Sequence, residues 1–172
     1  MAALGDLLGQ LDADRVRRGK QFEHICKWFL TNDPKYKSLF RHVWLWDEWP
    51  GRWPVESGID LVAEDRNKQL WAIQAKADNA ARQVTHDGVA HFVAESGRAV
   101  FSNRMLIATT DRIHHIGERT IKEIEKPPII VRLSDLEARR GRLAHFLVRF
   151  APRAAGGTET ASAVSVKRLT RW

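Results

Sequence analysis

A hairpin whose apolar strands contain three polar residues is the feature that most constrains the fold of this chain. Residues 57–76 read SGIDLVAEDRNKQLWAIQAK, which is two apolar runs joined by a polar turn at 65–68. Such runs predict a pair of buried antiparallel strands. Asp60, Gln74 and Lys76 interrupt the runs, and burying an unpaired charge costs several kcal/mol. The folded protein is therefore expected to compensate these three groups.

Strand patterns and helix patterns alternate along the rest of the chain. A helix is predicted over 12–31, where apolar residues follow helical spacing until Asn32-Asp33-Pro34 ends it. The other predicted elements are strands at 41–49, 105–110 and 129–133, and helices at 80–96, 111–126 and 134–150, the last opened by a Ser134–Glu137 capping box. With the hairpin, this order predicts an α/β fold rather than an all-β barrel.

The length and composition fit one domain with a short appendage. The 172 residues can bury a sizeable core, and the predicted elements occupy 1–150. From 151 the sequence becomes small and polar, as linkers are, and the final VSVKRLTRW resembles the start of a following domain. We therefore expect a domain at 1–150 and a linker with the start of another domain at 151–172.

Cysteine content and hydropathy exclude several classes of protein. The single cysteine, Cys26, excludes an internal disulfide framework and a cysteine-based zinc site. The longest apolar runs are far shorter than the ~20 residues that span a bilayer. The N-terminal stretch has no leading positive cluster, so we expect no signal peptide. These features predict cytoplasmic residence and no membrane partner.

The charge balance favours a polyanionic partner. The formal net charge is +7 and the pI is about 10.0. Excess Lys and Arg bind nucleic acid by releasing the counterions that surround its phosphates. The alternative is a basic surface that serves solubility alone.

The three polar residues of the hairpin predict a cation site. Gln74 and Lys76 point to the same face of their strand, and an appropriate register would place Asp60 beside them. A carboxylate, an amide oxygen and the Ala75 carbonyl would suit Mg²⁺, which retains several waters. Lys76 could then orient a water or stabilise charge in a transition state. The alternative is a cross-strand salt bridge between Asp60 and Lys76, with Gln74 hydrogen-bonded nearby.

Longer motifs give these residues a family context. The segments GKQFEHICKWFL, the Asp33-Pro34 pair, VWLWDEWP, SGIDLVAE and WAIQAK together resemble the Mrr-like branch of the PD-(D/E)xK restriction endonuclease-like nucleases, in which Gln replaces the central acid. The resemblance covers about 18–133 and is greatest to the nuclease domain at the N-terminus of Type ISP restriction–modification enzymes. It implies a restriction endonuclease-like αβββαβ core, with a mixed central sheet flanked by helices.

The resemblance also implies a role for each site residue. Asp60 would be the main metal ligand, Gln74 would occupy the position of the second acid, and Lys76 would be the catalytic lysine. Glu23 would be the first-helix glutamate, which ligates the metal directly or through water; otherwise it is a solvated acid on an amphipathic helix. Mg²⁺ is the expected cofactor and Mn²⁺ is expected to substitute. A neutral amide at 74 binds Mg²⁺ more weakly than a carboxylate does.

The implied function is metal-dependent hydrolysis of DNA phosphodiester bonds. No reader of base sequence is evident, so cleavage is expected to be largely sequence-independent. The implied partners are double-stranded DNA, a helicase-like ATPase and a methyltransferase in the same polypeptide, and a second nuclease copy for double-strand cleavage. Two alternatives remain: an inactive DNA-binding module of the same fold, and a protein-interaction domain in which Asp60 and Lys76 merely pair.

Other residues carry weaker hypotheses, each with a structural alternative. Candidate DNA contacts are Arg82, Arg104, Thr109, Thr110, Arg112 and Lys122, although each alone suits an ordinary surface. Candidates for base stacking are Trp44, Trp46, Trp49 and Trp53, for which core packing is the more frequent role. A further metal contact could come from Asp47, Glu48 or Glu56, which otherwise are solvated loop acids. His114-His115 and Cys26 are expected to be surface and packing residues respectively.

Overall fold

The computed structural model describes residues 8–54, 58–77, 84, 86–112 and 124–139. The described helices are α1 (Arg15–Asn32), α2 (Pro34–Leu39), α3 (His86–Ser96) and α4 (Leu133–Ala138), and a 3₁₀ turn covers Trp46–Glu48. The described strands are β1 (Phe40–Leu45), β2 (Leu61–Asp65), β3 (Leu70–Lys76), β4 (Asn103–Ala108) and β5 (Ile129–Val131). None of the described helices is long and apolar enough to cross a membrane.

Within these ranges, five strands form one mixed sheet in the order β1-β2-β3-β4-β5. β1, β2 and β3 are antiparallel neighbours, whereas β3, β4 and β5 run parallel. Two parallel neighbouring strands need a crossover connection. The connection between β3 and β4 contains α3. The observed order contains the expected αβββαβ core, so the sequence-based fold class is confirmed.

Both faces of the sheet are covered, because apolar side chains alternate along its central strands. On one face Leu61, Ile73 and Met105 share a buried cluster with α1 residues. On the other face Val62 and Ala72 pack against Phe92 of α3. Fully burying side chains of this size contributes about 1.5–3 kcal/mol each. The strands are consequently held rigidly, and so is any residue fixed to their ends.

The hairpin turn is stabilised by one buried carboxylate. Asp65 is 4% exposed and accepts hydrogen bonds from the Asn67 and Gln69 N–H groups and from the Trp71 indole. These three bonds compensate its burial and lower its pKa against the effect of desolvation. They also fix the register of the hairpin, in which Leu61 lies opposite Ile73.

Several boundaries differ from the sequence-based expectations: the helix predicted from 12 begins at Arg15, the helix predicted from 80 begins at His86, and the strand predicted to 133 ends at Val131. β1 ends at Leu45 rather than at 49, because the Glu48 carboxylate accepts the Leu45 N–H and closes a 3₁₀ turn. The short helix α2 begins at Pro34, which is its first residue after the N-cap Asp33, and the sequence pattern did not indicate it. β4 spans 103–108 rather than 105–110, so two threonines follow the strand.

The predicted Ser134–Glu137 capping box is wrong. The helix begins one residue earlier, at Leu133, and the Asp135 carboxylate accepts the Arg132 N–H. Ser134 instead donates its hydroxyl to Asp111, a residue distant in sequence. The predicted helix at 111–126, the region 140–150 and the linker at 151–172 lie largely or wholly outside the described residues.

Candidate functional site

Asp60 lies at the point where the hairpin strands begin, one residue before β2. Its N–H donates to the Ile73 carbonyl (2.9 Å), and its own carbonyl accepts the Trp46 N–H (2.8 Å). Its carboxylate oxygen Oδ2 accepts the Ala75 N–H at 2.7 Å. Asp60 is therefore fixed against the 74–76 segment of β3, as the strand pattern predicted.

The environment of Asp60 disfavours its charged form. Burial is the main cause that raises its pKa from 3.8 to about 6, and the carboxylate of Glu23 adds to the shift. The Ala75 hydrogen bond, Lys76 and Lys20 act in the opposite direction. A buried carboxylate that is under-compensated in this way gains free energy from a bound cation.

Gln74 presents an acceptor that has no partner. The residue is 3% exposed, and its Nε2 donates to the Gly58 carbonyl at 3.0 Å. That bond identifies the other amide atom as Oε1, which is buried and has no hydrogen-bond partner among the described residues. A buried acceptor left unpaired costs about 1–3 kcal/mol. Oε1 is therefore a suitable oxygen ligand for a cation.

Gly58 shapes the loop that orients Gln74. Its φ of +61° lies in the left-handed region, which side chains other than glycine rarely adopt. A Cβ at this position would also lie 2.5 Å from Nδ1 of His91 on α3. Gly58 belongs to the SGIDLVAE motif but had no predicted role, although a glycine just before a strand is a usable signal for such a turn.

Lys76 ends β3 on the same face as Gln74, by the alternation of side chains in a strand. It is half-buried, and its backbone carbonyl accepts the Thr109 N–H at 3.0 Å. No ion pair joins Asp60 to Lys76 among the described contacts; the Asp60 carboxylate bonds the Ala75 N–H instead. The simple cross-strand salt bridge is therefore not the arrangement observed.

Glu23 approaches the site from α1. It is only 8% exposed, so it is not a solvated surface acid, and it is close enough to Asp60 to raise the pKa of that carboxyl. Burial raises the pKa of Glu23 as well, against an ion pair in which Lys20 Nζ lies 2.9 Å from its Oε2. Lys20 was overlooked in the sequence, although its position three residues before Glu23 on a helix predicts such a contact.

The site is poor in strong metal ligands. The described part of the chain contains no group of three or more His, Cys, Asp or Glu side chains that could hold a metal ion. Asp47 is exposed, Glu48 pairs with Lys27 at 2.6 Å, and Glu56 lies outside the described residues. Any metal held here would depend on Asp60, Glu23 and neutral oxygen atoms.

The residues suggested as DNA contacts have varied positions. Arg104 is buried, and its guanidinium donates to Ser96 and to the Lys126 carbonyl, which joins α3 to the segment before β5. This role in packing disfavours contact with DNA, and burial lowers the pKa of its guanidinium. Thr109 and Thr110 are also buried, Arg112 is exposed, and Arg82 and Lys122 lie outside the described residues.

The tryptophans mainly form core. Trp49 is 5% exposed and packs with Trp46, Trp53 and Phe101 in one aromatic cluster. Cys26 is fully buried, which raises the pKa of its thiol well above the usual range, as suits a packing residue. The structural alternatives are thus favoured for these residues.

Comparison with known proteins places the chain in a family. The family model Mrr_cat_2, described as a restriction endonuclease, matches residues 31–141, a range that includes Asp60, Gln74 and Lys76 and begins after Glu23. None of the curated proteins matches the chain.

Two solved structures resemble the chain. One is the ATP-dependent Type ISP restriction-modification enzyme LlaBIII bound to DNA, with 33% identity, a TM-score of 0.65, and coverage of 80% of this chain and 8% of that chain. The other is MspJI restriction endonuclease in complex with a 27-mer oligonucleotide, with 15% identity, a TM-score of 0.48, and coverage of 74% and 31% respectively. This chain thus corresponds to a small part of LlaBIII. The chain belongs to the restriction endonuclease family, as a restriction endonuclease-like nuclease domain related to Type ISP restriction–modification enzymes.

Proposed function

We propose that this domain is a metal-dependent DNA endonuclease that hydrolyses phosphodiester bonds at the Asp60 site, largely independently of base sequence. The observation that carries the proposal is a buried, under-compensated carboxylate fixed beside the 74–76 segment, together with the unpartnered Oε1 of Gln74. Family membership supports the reaction class, because related domains are described as restriction endonucleases.

The residues present fit a hard divalent cation. Asp60 would be the main ligand, Gln74 Oε1 and the Ala75 carbonyl would add neutral oxygens, and Glu23 would act directly or through water. Mg²⁺ suits so few protein ligands because it retains several waters, and Mn²⁺ should substitute for it. When bound, the ion would stabilise charge on phosphate oxygens and make a water more acidic.

Lys76 supplies the proposed catalytic amine. Its position on the Gln74 face, near enough to Asp60 to lower the pKa of that carboxyl, would place a positive charge close to the scissile phosphate. There it would orient the attacking water or stabilise the charge that develops on the phosphate. β3, which pairs with a neighbour on each side, holds this amine and Gln74 in a fixed relation.

Double-stranded DNA is the proposed substrate. The net charge of +7 favours a polyanion, and the related LlaBIII structure is described as bound to DNA. We further propose that a helicase-like ATPase and a methyltransferase of the same polypeptide deliver the domain to its target, and that a second nuclease copy completes a double-strand cut. Coverage of only 8% of LlaBIII supports this modular context.

Cleavage of a supercoiled plasmid tests the proposal. We expect nicking by the wild-type chain in Mg²⁺ or Mn²⁺ but not in EDTA, and a loss of at least 100-fold in Asp60→Asn and Lys76→Ala, the scale typical of lost electrostatic stabilisation. Glu64→Gln is the matched control, because it removes a half-buried carboxylate from β2, the strand that follows Asp60. Equal nicking by all four proteins would refute the assignment.

The neutral amide at 74 favours one alternative, a DNA-binding module that has lost activity. In that case the wild-type chain would bind DNA without cleaving it in either metal. Gln74→Glu discriminates between an active nuclease and an inactive DNA-binding module. If the wild-type chain is inactive because of the amide, the carboxylate at 74 should confer cleavage.

A further inference from the structure

Glu23, one of the proposed metal ligands, forms an ion pair with Lys20 on the same helix, α1. Lys20 Nζ lies 2.9 Å from Glu23 Oε2, one helical turn apart. The Glu23 side chain is 11% exposed and that of Lys20 is 62% exposed, so the amine lies on the solvent side of the carboxylate. A polyanion that approaches Glu23 from solvent would therefore meet Lys20 first.

Lys20 interacts electrostatically with other carboxylates of the site besides Glu23. These are the carboxylates of Asp60 and Asp47. The carboxylate is the fixed member of the pair, because its neighbours Phe22 and Cys26 are each 1% exposed in the core. The lysine is the movable member, since a long exposed side chain can change rotamer without disturbing packing.

We propose that Lys20 is a positioning residue with two partners: it holds Glu23 in the metal-free protein and transfers to a DNA phosphate once a divalent cation is bound. This inference rests on the proposed function, because it needs a cation at the Asp60 site and a phosphate substrate. The family match begins at residue 31 and so includes neither Lys20 nor Glu23.

Electrostatics gives the reason for the exchange. A divalent cation bound to Glu23, or to a water held by Glu23, would place two cations next to one carboxylate. Their repulsion is strong where water is partly excluded, so the ammonium group should leave. A phosphate that arrives at the metal offers the released amine a new anionic partner, and lysine is a frequent ligand of phosphate.

An ordinary surface ion pair would behave differently. Such pairs contribute little to stability, and their loss has no consistent effect on ligands bound elsewhere. The exchange instead requires opposite effects: removal of the Lys20 charge should strengthen metal binding in the absence of DNA, and weaken DNA binding only when metal is present.

Lys20→Met is the test variant, and Arg17→Met is its matched control. Arg17 lies on the same helix, its side chain is 70% exposed, and it forms an ion pair with Asp12 (2.8 Å) rather than with a site residue. Mn²⁺ affinity without DNA should rise about two- to fivefold in Lys20→Met, the range expected for a partly exposed ion pair. It should not change in Arg17→Met.

DNA affinity supplies the second measurement, made in the Lys76→Ala background so that cleavage does not interfere. In Mg²⁺, Lys20→Met should weaken DNA binding about fivefold and reduce the slope of log affinity against log salt by about 0.9, as for one lost phosphate contact. In EDTA it should weaken DNA binding no more than Arg17→Met does. Thermal unfolding of both variants checks the fold, and Lys20→Gln replaces Lys20→Met if the latter unfolds.

Two outcomes would overturn the inference: Mn²⁺ affinity that does not rise in Lys20→Met, or a loss of DNA affinity that is equal with and without metal. Failure of the proposed function looks different, because Asp60→Asn would then bind Mn²⁺ as tightly as the wild-type chain.

Discussion

Asp60 combines two properties that oppose each other in a folded protein without a cation. Its three hydrogen bonds fix its position, while burial raises its pKa to about 6. Above that pH the carboxylate is charged and incompletely compensated. We therefore propose that its burial serves binding rather than stability, in the same way that active sites elsewhere retain unfavourable charges.

The pKa of Asp60 leads to a prediction about stability. Because its folded pKa is raised above the unfolded value of 3.8, the folded state binds more protons between about pH 4 and pH 6. The contribution of Asp60 to the free energy of unfolding should thus decrease as pH rises through this window and stay low above about pH 6. At 1.4 kcal/mol per pKa unit, the cost at pH 8 is at most roughly 3 kcal/mol.

Asp60→Asn should remove that cost while keeping an acceptor for the Ala75 N–H. Urea unfolding at pH 8 without metal should show the variant to be as stable as the wild-type chain or more stable, with the difference shrinking toward pH 4. Glu64→Gln again serves as the control. A variant markedly less stable than wild type at pH 8 would mean that the Asp60 charge is compensated by contacts other than those described.

At the scale of elements, the loop before β2 and the end of β3 form one unit. The Gly58 carbonyl holds the Gln74 amide, and the His91 ring on α3 leaves no space for a side chain at Gly58. The loop, the strand and the helix together direct Oε1 of Gln74. This dependence makes the site sensitive to a change two residues away from Asp60.

Gly58→Ala should damage both folding and metal binding. The left-handed φ costs about 1–2 kcal/mol for a residue with a Cβ, and the contact with His91 adds to it. We expect a lower melting temperature and weaker Mn²⁺ binding, measured by thermal unfolding and calorimetry.

Gly19→Ala is the control for this change. Gly19 lies inside α1, where a Cβ would meet nothing within 4 Å, so alanine should stabilise the helix by about 0.5–1 kcal/mol. If both substitutions had the same effect, the strained loop at Gly58 would not be what directs Gln74.

The alternation of side chains in strands and the turn-forming residues made much of the hairpin and its site predictable from the sequence. Two-residue alternation placed Gln74 and Lys76 on one face, and the polar segment at 65–68 predicted the hairpin turn that brings Asp60 to Ala75. The packing role of Arg104 and the hydrogen bond of Ser134 to Asp111 depend on contacts between distant residues. Local pattern carries no signal for such contacts.

At the scale of the whole molecule, contacts between residues distant in sequence join the C-terminal part of the described chain to the N-terminal helices. Arg139, after α4, donates to both carboxylate oxygens of Asp33 at 2.9 and 3.1 Å, and its guanidinium lies over the Tyr36 ring. The C-terminal end of the described chain is thereby joined to the junction of α1 and α2. α1 carries Glu23 and Lys20, so this contact also helps to fix the helix that approaches Asp60.

The comparisons and the charge define the context in which this site would work. The domain shares its fold with a small part of a much larger ATP-dependent enzyme, with 33% sequence identity in a match that covers 80% of this chain. We propose that cleavage by this basic domain is largely independent of base sequence, so that neighbouring domains would deliver it to DNA and regulate it. The chemistry itself depends on whether the Asp60 site holds a metal.

Direct measurement of Mn²⁺ binding tests that central claim. Electron paramagnetic resonance titration of the whole chain at pH 8, without DNA, should detect Mn²⁺ binding that Mg²⁺ displaces. The Mn²⁺ affinity should fall about tenfold per pH unit below about pH 6. Binding should be lost in Asp60→Asn and retained in Glu64→Gln. Mn²⁺ binding of equal affinity in the wild-type chain and Asp60→Asn would contradict the account.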